Sequence, residues 1–80
     1  MTVGEVVRMR IMELCQEREI SFNKLSSISG VTQSTVNNII SGRNNTATVS
    51  TVKKLCDGLG ITLGEFFSTA EFDASDQEVK

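Results

Sequence analysis

The sequence predicts an all-α fold, a compact domain of five helices, and three observations indicate it. Apolar residues recur at the spacing of one helix face in successive segments of the chain. Capping-box patterns at residues 2–5 and 62–65 mark two helix starts. Glycines at positions 30, 42 and 60 stand where helical patterns stop. The 80 residues allow one domain with a small core, mainly of Val, Ile and Leu because Trp and Tyr are absent.

The first helix is expected to begin after the N-cap Thr2 and to run to about Glu19. Its predicted core residues are Val7, Ile11, Leu14 and Cys15. Cys15 and Cys56 are isolated within apolar helical patterns. Both are therefore interpreted as buried free thiols rather than as a disulfide or as metal ligands.

Two short helical patterns then meet across Gly30. Their apolar faces are formed by Leu25 and Ile28 in the first and by Val36, Ile39 and Ile40 in the second. Ser21 can cap the first helix, and Gly30 stands where that helix must stop and reverse. Thr32 can cap the second helix, which Gly42 is expected to end. A short helix, a glycine turn and another short helix describe a helix-turn-helix.

Two further helices complete the predicted domain. Thr48 can cap the fourth helix, and Gly60 is expected to end it. Its predicted core residues are Val49, Val52, Leu55, Cys56 and Leu59. The fifth helix carries Phe66 and Phe67, which are adjacent and cannot both face the core. One ring is expected to complete the core, and the other is a candidate for a partner surface.

The charge is unevenly placed along the chain. The net charge of −2 divides into +1 for residues 1–70 and −3 for residues 71–80. The last segment also lacks periodicity, so we expect a domain over residues 1–69 and a disordered acidic tail over residues 70–80. A charge of +1 is a weak electrostatic footprint for a nucleic-acid-binding domain.

The uncharged outer face of the third helix is the clearest sign of function. Its polar residues are Gln33, Ser34, Thr35, Asn37, Asn38 and Ser41. Asn, Ser and Thr are mediocre helix formers, so helix stability does not explain this face. Amides and hydroxyls can donate and accept toward base edges without repelling phosphate, which makes this a candidate recognition helix. The alternative is a polar, solvated helix face with no partner.

The pattern extends over most of the chain, from about Glu5 to Phe67. The residues that carry it are Ile11, Leu14, Leu25, residues 30–36, Ile39, Gly42, Asn44, Asn45, Val49, Val52, Leu55, residues 59–61, Leu63 and Phe66. With them, the chain resembles the lambda-repressor-like (Xre/Cro-type) helix-turn-helix family of bacterial and phage regulators. The glycine turn alone would be a weak match, whereas the turn followed by an apolar helix and a Leu-Gly-Ile turn is specific.

The resemblance implies two sets of DNA contacts. The expected base-reading residues are Gln33, Ser34, Asn37 and Asn38. The expected contacts to the DNA backbone are Thr32, Thr35, Asn23, Lys24, Arg43 and Asn44. Arg43 stands in a polar loop that, in the family, crosses the backbone beside the recognition helix. Its alternative is an ordinary solvated arginine.

Two departures from the family pattern bear on the core and on DNA. The family usually has a buried Arg–Glu pair where Cys15 and Ile40 stand. Apolar residues can replace a buried ion pair together, so Cys15 and Ile40 are expected to pack together. Phe22 stands where the family often has a Gln that contacts phosphate. Asn23, Lys24 or the helix N-terminal amides can take over that contact, and Phe22 is equally well explained by packing.

The composition excludes several classes of function. The chain has no His and two isolated Cys, so we expect no enzyme, metal site or cofactor. No apolar run approaches the roughly 18 residues of a membrane span and no signal-peptide pattern is present, so the expected location is the cytoplasm. The leading hypothesis is a sequence-specific double-stranded DNA-binding regulator, a repressor of a palindromic operator. The alternative is a protein-binding module or antitoxin-type partner, for instance of a toxin, on the same scaffold.

A homodimer is expected because one recognition helix reads too few base pairs to select an operator. Two copies related by a two-fold axis double the contacts and match a palindrome. The expected interface is the fifth helix, with Phe66 or Phe67 at its centre. The alternative is that both rings pack on the core of their own chain.

Overall fold

The structure, a computed structural model, describes residues 2–41 and 47–75. The helices are α1 (Val3–Glu17), α2 (Phe22–Ser29), α3 (Gln33–Ser41), α4 (Val49–Leu59), α5 (Leu63–Phe67) and α6 (Ala70–Ala74). The all-α fold is confirmed, with the five predicted helices in the predicted order and a short sixth helix after them. None of these helices is long and apolar enough to cross a membrane.

Local capping chemistry fixes most helix ends, as the sequence predicts. Thr2 and Thr62 form complete capping boxes with Glu5 and Glu65, in which each threonine hydroxyl accepts from a backbone N–H three residues on. The hydroxyl groups of Ser21 and Thr48 cap α2 and α4 in the same way. The glycines that end α2 and α4, at positions 30 and 60, both have φ +73°, a left-handed conformation that costs glycine little.

One hydrophobic core joins α1 to α5. Its buried members are Ile11, Leu14, Cys15, Leu25, Val31, Val36, Ile39, Val52, Leu55, Cys56, Leu59 and Phe66. Cys15 and Cys56 are free thiols, and burial raises the pKa of both, so they stay neutral at physiological pH. The interpretation as buried free thiols is confirmed for both cysteines.

Three predicted core positions are wrong or only partly right. Val49, the first residue of α4, is 70% exposed, whereas Val52 three residues later is 2% exposed. Ile28 is 39% exposed, whereas Leu25 on the same helix is fully buried. Val7 only packs against the edge of the core, whereas Val6 beside it is 4% exposed. Helix α6, which the sequence does not predict, also contacts α1.

The predicted packing of Cys15 with Ile40 is partly supported. Cys15 is 3% exposed and belongs to the core, and Ile40 is half-buried and packs against that core. Helices α1 and α3, which carry these residues, contact each other. A direct contact between the two side chains stays a prediction.

Gly58 allows α2 and α4 to approach each other closely. A Cβ atom at position 58 would lie 2.8 Å from the Cα of Ser29 and 2.9 Å from its backbone nitrogen. Real Cβ atoms essentially never come this close to backbone atoms, so only glycine fits here without a shift of one helix. Helix α2 therefore lies with its C-terminal turn directly against the last turn of α4.

The C-terminal part of the described chain differs from the prediction of a disordered tail. Ala70–Ala74 forms α6, and the half-buried Phe72 ring lies 4.8 Å from that of Phe67 and 5.9 Å from that of Phe66, measured between centroids. The expectation of disorder from about Thr69 is therefore wrong for these residues, because Phe72 gives the segment an apolar contact. Residues 76–80 lie outside the described residues.

Candidate nucleic-acid interface

The turn between α2 and α3 is held by serine hydroxyl groups as well as by glycine. Ser26 is buried, and its Oγ donates to the carbonyl oxygen of Val31. The Oγ of Ser29 donates to the carbonyl oxygen of Leu25 over 2.6 Å, and the N–H of Gly30 donates to that of Ser26 over 3.1 Å. These bonds satisfy backbone groups at the turn, so they fix α3 relative to α2.

Thr32 and Thr35 organise the start of α3. The Oγ1 of Thr32 accepts from the N–H of Thr35 over 3.2 Å and donates to its Oγ1 over 2.9 Å. The predicted cap is thereby confirmed. The Thr35 hydroxyl accepts that bond and keeps its own hydrogen, which it can donate to a phosphate oxygen.

The inner face of α3 anchors the helix to the core. Val36 is 2% exposed and Ile39 is 7% exposed, while Ile40 packs against the core from one side. Helical geometry then places Ser34 and Asn37 on the opposite, outer face, together with Asn38 and Ser41 one turn later. The core thus holds α3 with its polar face turned away from the domain.

Four side chains of this outer face, those of Gln33, Ser34, Asn37 and Asn38, have polar groups available for a partner. Gln33, Ser34 and Asn37 are exposed, and Asn38 is half-buried. Among the residues that the structure describes, none of these four side chains forms a hydrogen bond. Since no charged residue stands between Val31 and Ser41, the surface offers neutral donors and acceptors only. The sequence-predicted base-reading residues are therefore brought together on one accessible face.

The start of α2 lies at the same motif. Asn23 and Lys24 are exposed. The Lys24 N–H donates to the hydroxyl of the N-cap Ser21 over 3.0 Å, whereas the N–H groups of Phe22 and Asn23 precede the first helical bond. The Phe22 ring is partly buried and packs against the core, which favours packing as the reason for this residue. Asn23 and Lys24 remain free to reach a phosphate.

Part of the expected interface is not described. Gly42, Arg43, Asn44 and Asn45 lie outside the described residues. The assignment of Arg43 and Asn44 to the DNA backbone stays a prediction from sequence. Within residues 2–41 and 47–75, no group of His, Cys, Asp or Glu could hold a metal ion.

Of the two rings predicted to lie at a dimer interface, only one is accessible. Phe66 is fully buried, so its assignment to a dimer interface is wrong: the ring fills the core of its own chain. Phe67 is 38% exposed and keeps part of its ring accessible, although it also contacts Phe66 edge-on at 4.9 Å. Phe67 alone remains as the aromatic candidate.

Sequence reasoning missed three contributors to this architecture. Arg10 joins α1 to the end of α5 through its guanidinium group. Gly58 sets the distance between α2 and α4, and a glycine inside a helical pattern was the available signal. Met9 and Met12 are 46% and 44% exposed and line a groove between α1 and the segment around Thr69. The helical spacing of the two methionines can be read from the sequence. The groove cannot, because it depends on α6.

Comparison with known proteins gives two matches. The family model of the Cro/C1-type HTH DNA-binding domain matches residues 10–71. Among solved structures, the chain is similar to the crystal structure of the prophage Lp1 protein 11, with 34% identity and a TM-score of 0.79. That similarity covers 95% of each chain. No curated protein matches the chain.

Proposed function

The chain belongs to the Cro/C1-type helix-turn-helix DNA-binding family, and from this premise we propose that it is a sequence-specific repressor that binds a palindromic operator as a homodimer. The observation that carries the proposal is the outer face of α3, on which the amide groups of Gln33, Asn37 and Asn38 and the hydroxyl group of Ser34 make no hydrogen bond within the described residues. Acting on DNA, the protein works in the cytoplasm. Repression follows from occupancy, because a protein bound across a promoter blocks access to it.

The proposed docking places α3 in the major groove. Gln33, Ser34, Asn37 and Asn38 read base edges there, since an α-helix fits this groove and its side chains can reach the bases. Backbone contacts position the helix, and we assign them to Thr32, Thr35, Asn23, Lys24, Arg43 and Asn44. The first-turn N–H groups of α2 add two neutral donors to that set.

The proposed homodimer supplies the second half of the recognition. Two copies related by a two-fold axis present two α3 helices to half-sites roughly 34 Å apart. Phe67 on α5 is the surface residue that we assign to the centre of this interface. Because Phe67 is an apolar ring only partly covered by Phe72, contact with a second copy would remove more of it from water.

A fluorescence anisotropy titration tests the proposal. The protein is titrated against labelled duplex DNA from the region upstream of its own gene and against a scrambled duplex of the same composition, at two salt concentrations. The proposal expects tighter binding to the upstream duplex at both salt concentrations. Equal binding to the two duplexes would contradict sequence-specific regulation at that region, and no binding to either would contradict DNA binding.

A protein-binding role on the same scaffold is the second candidate. Exposed methionines are common on surfaces that contact proteins, and Met9 and Met12 form such a surface on α1. In this role, the protein would bind a toxin through this methionine surface of α1. Substitution of both methionines by glutamine should then abolish toxin binding without weakening DNA binding. If the double variant binds DNA more weakly but still binds the toxin, this role is contradicted.

A further inference from the structure

The chemical types on the outer face of α3 constrain which bases it can read. Guanine presents two acceptors, O6 and N7, in the major groove, and arginine or lysine pairs with both. Adenine presents an acceptor at N7 and a donor at N6, which the side-chain amide of Asn or Gln matches with its own donor and acceptor. The whole of α3, Gln33–Ser41, contains no arginine and no lysine but three amides.

The three amides also have their full hydrogen-bonding capacity available. Gln33 and Asn37 are exposed, Asn38 is half-buried, and their amide groups make no hydrogen bond within the described residues. Thr32 and Thr35, in contrast, bond to each other. A bidentate contact needs both the amide oxygen and the amide nitrogen, so this difference favours the amides as readers.

We propose that the base pairs contacted by α3 in each half-site are A·T pairs, with adenine read in the major groove by Gln33, Asn37 and Asn38. This inference rests on the proposed function and adds the base composition of the site to it. Ser34 bonds to either kind of base pair, because a hydroxyl group both donates and accepts, and therefore adds affinity with little discrimination.

A preference for A·T pairs can also arise from the shape of the DNA, so the test must distinguish shape from base reading in the major groove. Runs of A·T pairs have a narrow minor groove, and proteins can respond to that shape without touching the major groove. An inosine·cytosine pair distinguishes the two sources. Its minor groove resembles that of an A·T pair because it lacks the guanine amino group, whereas its major groove presents the two acceptors of guanine.

The first experiment selects binding sites from a pool of random duplexes with the full chain. We expect a palindromic motif whose half-sites contain two or three A·T positions. Each of these positions is then replaced in turn by inosine·cytosine, or its adenine by 7-deazaadenine, which lacks the N7 acceptor. Both replacements should weaken binding by at least about fivefold, the lower end expected for one bidentate contact.

A matched pair of variants tests the assignment to α3. Gln33→Arg should change one selected adenine to guanine, because the guanidinium group donates to O6 and N7. Gln16→Arg makes the same chemical change at an exposed position of α1 and should leave the motif unchanged. If both variants alter the motif alike, added charge rather than base reading explains the change, and the assignment fails.

The outcomes separate this inference from the proposed function. Selection of no motif would overturn the proposed function and the inference together. A motif dominated by G·C pairs would leave the proposed function standing and overturn the inference. A motif of A·T pairs that tolerates inosine·cytosine would overturn major-groove reading of adenine as well.

Discussion

The guanidinium group of Arg10 donates to the carbonyl oxygen of Phe66 through Nε over 2.9 Å. Its Nη2 donates to the carbonyl oxygen of Glu65 over the same distance, and its Nη1 pairs with Glu13. One side chain of α1 thus donates to two carbonyl groups at the end of α5, of which that of Glu65 also accepts from the N–H and the hydroxyl group of Ser68. The backbone that carries Phe66 into the core is thereby tied to the first helix.

Removal of this tie should destabilise the fold. Arg10→Ala leaves the Phe66 carbonyl without its charged donor, and we expect a loss of about 1–3 kcal/mol in the free energy of unfolding. Arg10→Lys should recover only part of the loss, because one ammonium group cannot reproduce the planar fork. Urea denaturation measures both. Arg18→Ala is the control, since Arg18 contacts Glu17 only at 4.0 Å, and a loss as large in that variant would contradict this role of Arg10.

Gly58→Ala should destabilise the protein although alanine is the better helix former. Helix propensity alone would favour the substitution by about 1 kcal/mol. The new Cβ would instead meet the backbone of Ser29 at 2.8 Å and push α2 from α4. Gly64→Ala is the matched control, because the nearest atom to its Cβ is the Thr62 Oγ1 at 3.7 Å. Thermal melts should show a lower midpoint for Gly58→Ala and an unchanged or higher one for Gly64→Ala.

Gln33→Ala should change base preference without changing stability. Gln33 is exposed and its side chain makes no bond within the described part of the chain, so the fold does not depend on it. One bidentate contact is worth roughly 1–3 kcal/mol of discrimination, which should disappear at one base pair. Competition titrations with single-base variants of the selected operator measure this. An unchanged ratio between operator and scrambled DNA would show that Gln33 reads no base.

Arg43→Ala should weaken binding to all DNA by a similar factor. A contact to phosphate carries no sequence information, so specificity should persist while affinity falls. Each phosphate contact contributes about 0.9 to the slope of log affinity against log salt, and the slope should shrink by about that amount. Anisotropy titrations over a salt series give the slope. If the slope stays the same, Arg43 is a solvated side chain.

Phe67→Ala should shift the protein from dimer to monomer while folding is retained. The ring is 38% exposed, so its loss should cost less stability than the loss of the buried Phe66 ring. Val49→Ala removes another exposed apolar side chain, on α4, and should leave the dimer intact. Analytical ultracentrifugation at micromolar concentration, with and without operator DNA, measures the association state. A wild-type monomer in both conditions would refute the dimer.

The sequence predicts those parts of the structure that depend on neighbours along the chain. The capping boxes at Thr2 and Thr62 and the left-handed turn at Gly30 are local, so their signals appear within four residues. The choice between Phe66 and Phe67 is different, because it depends on where α1 and α4 lie. Local pattern could therefore show only that one of the two rings must face outward.

The features that sequence reasoning missed come from contacts between distant segments. The requirement for glycine at position 58 arises from the approach of Ser29, and only the packing of α2 on α4 creates it. The short helix α6 depends on the contact of Phe72 with two rings of α5. In the candidate site, helical periodicity predicted which residues lie on the outer face of α3. The partial burial of Asn38 could not be predicted in this way, because it depends on the surrounding fold.

The separation between the two faces of α3 has a consequence for how such a protein diverges. Val36 and Ile39 hold the helix in place, whereas the amides of Gln33 and Asn37 contact no other side chain by hydrogen bonding within the described residues. Mutations at the outer positions therefore leave folding almost unaffected, since exposed substitutions without partners change stability little. Copies of the gene can therefore evolve toward new target sequences through single substitutions on this face, and every intermediate protein still folds.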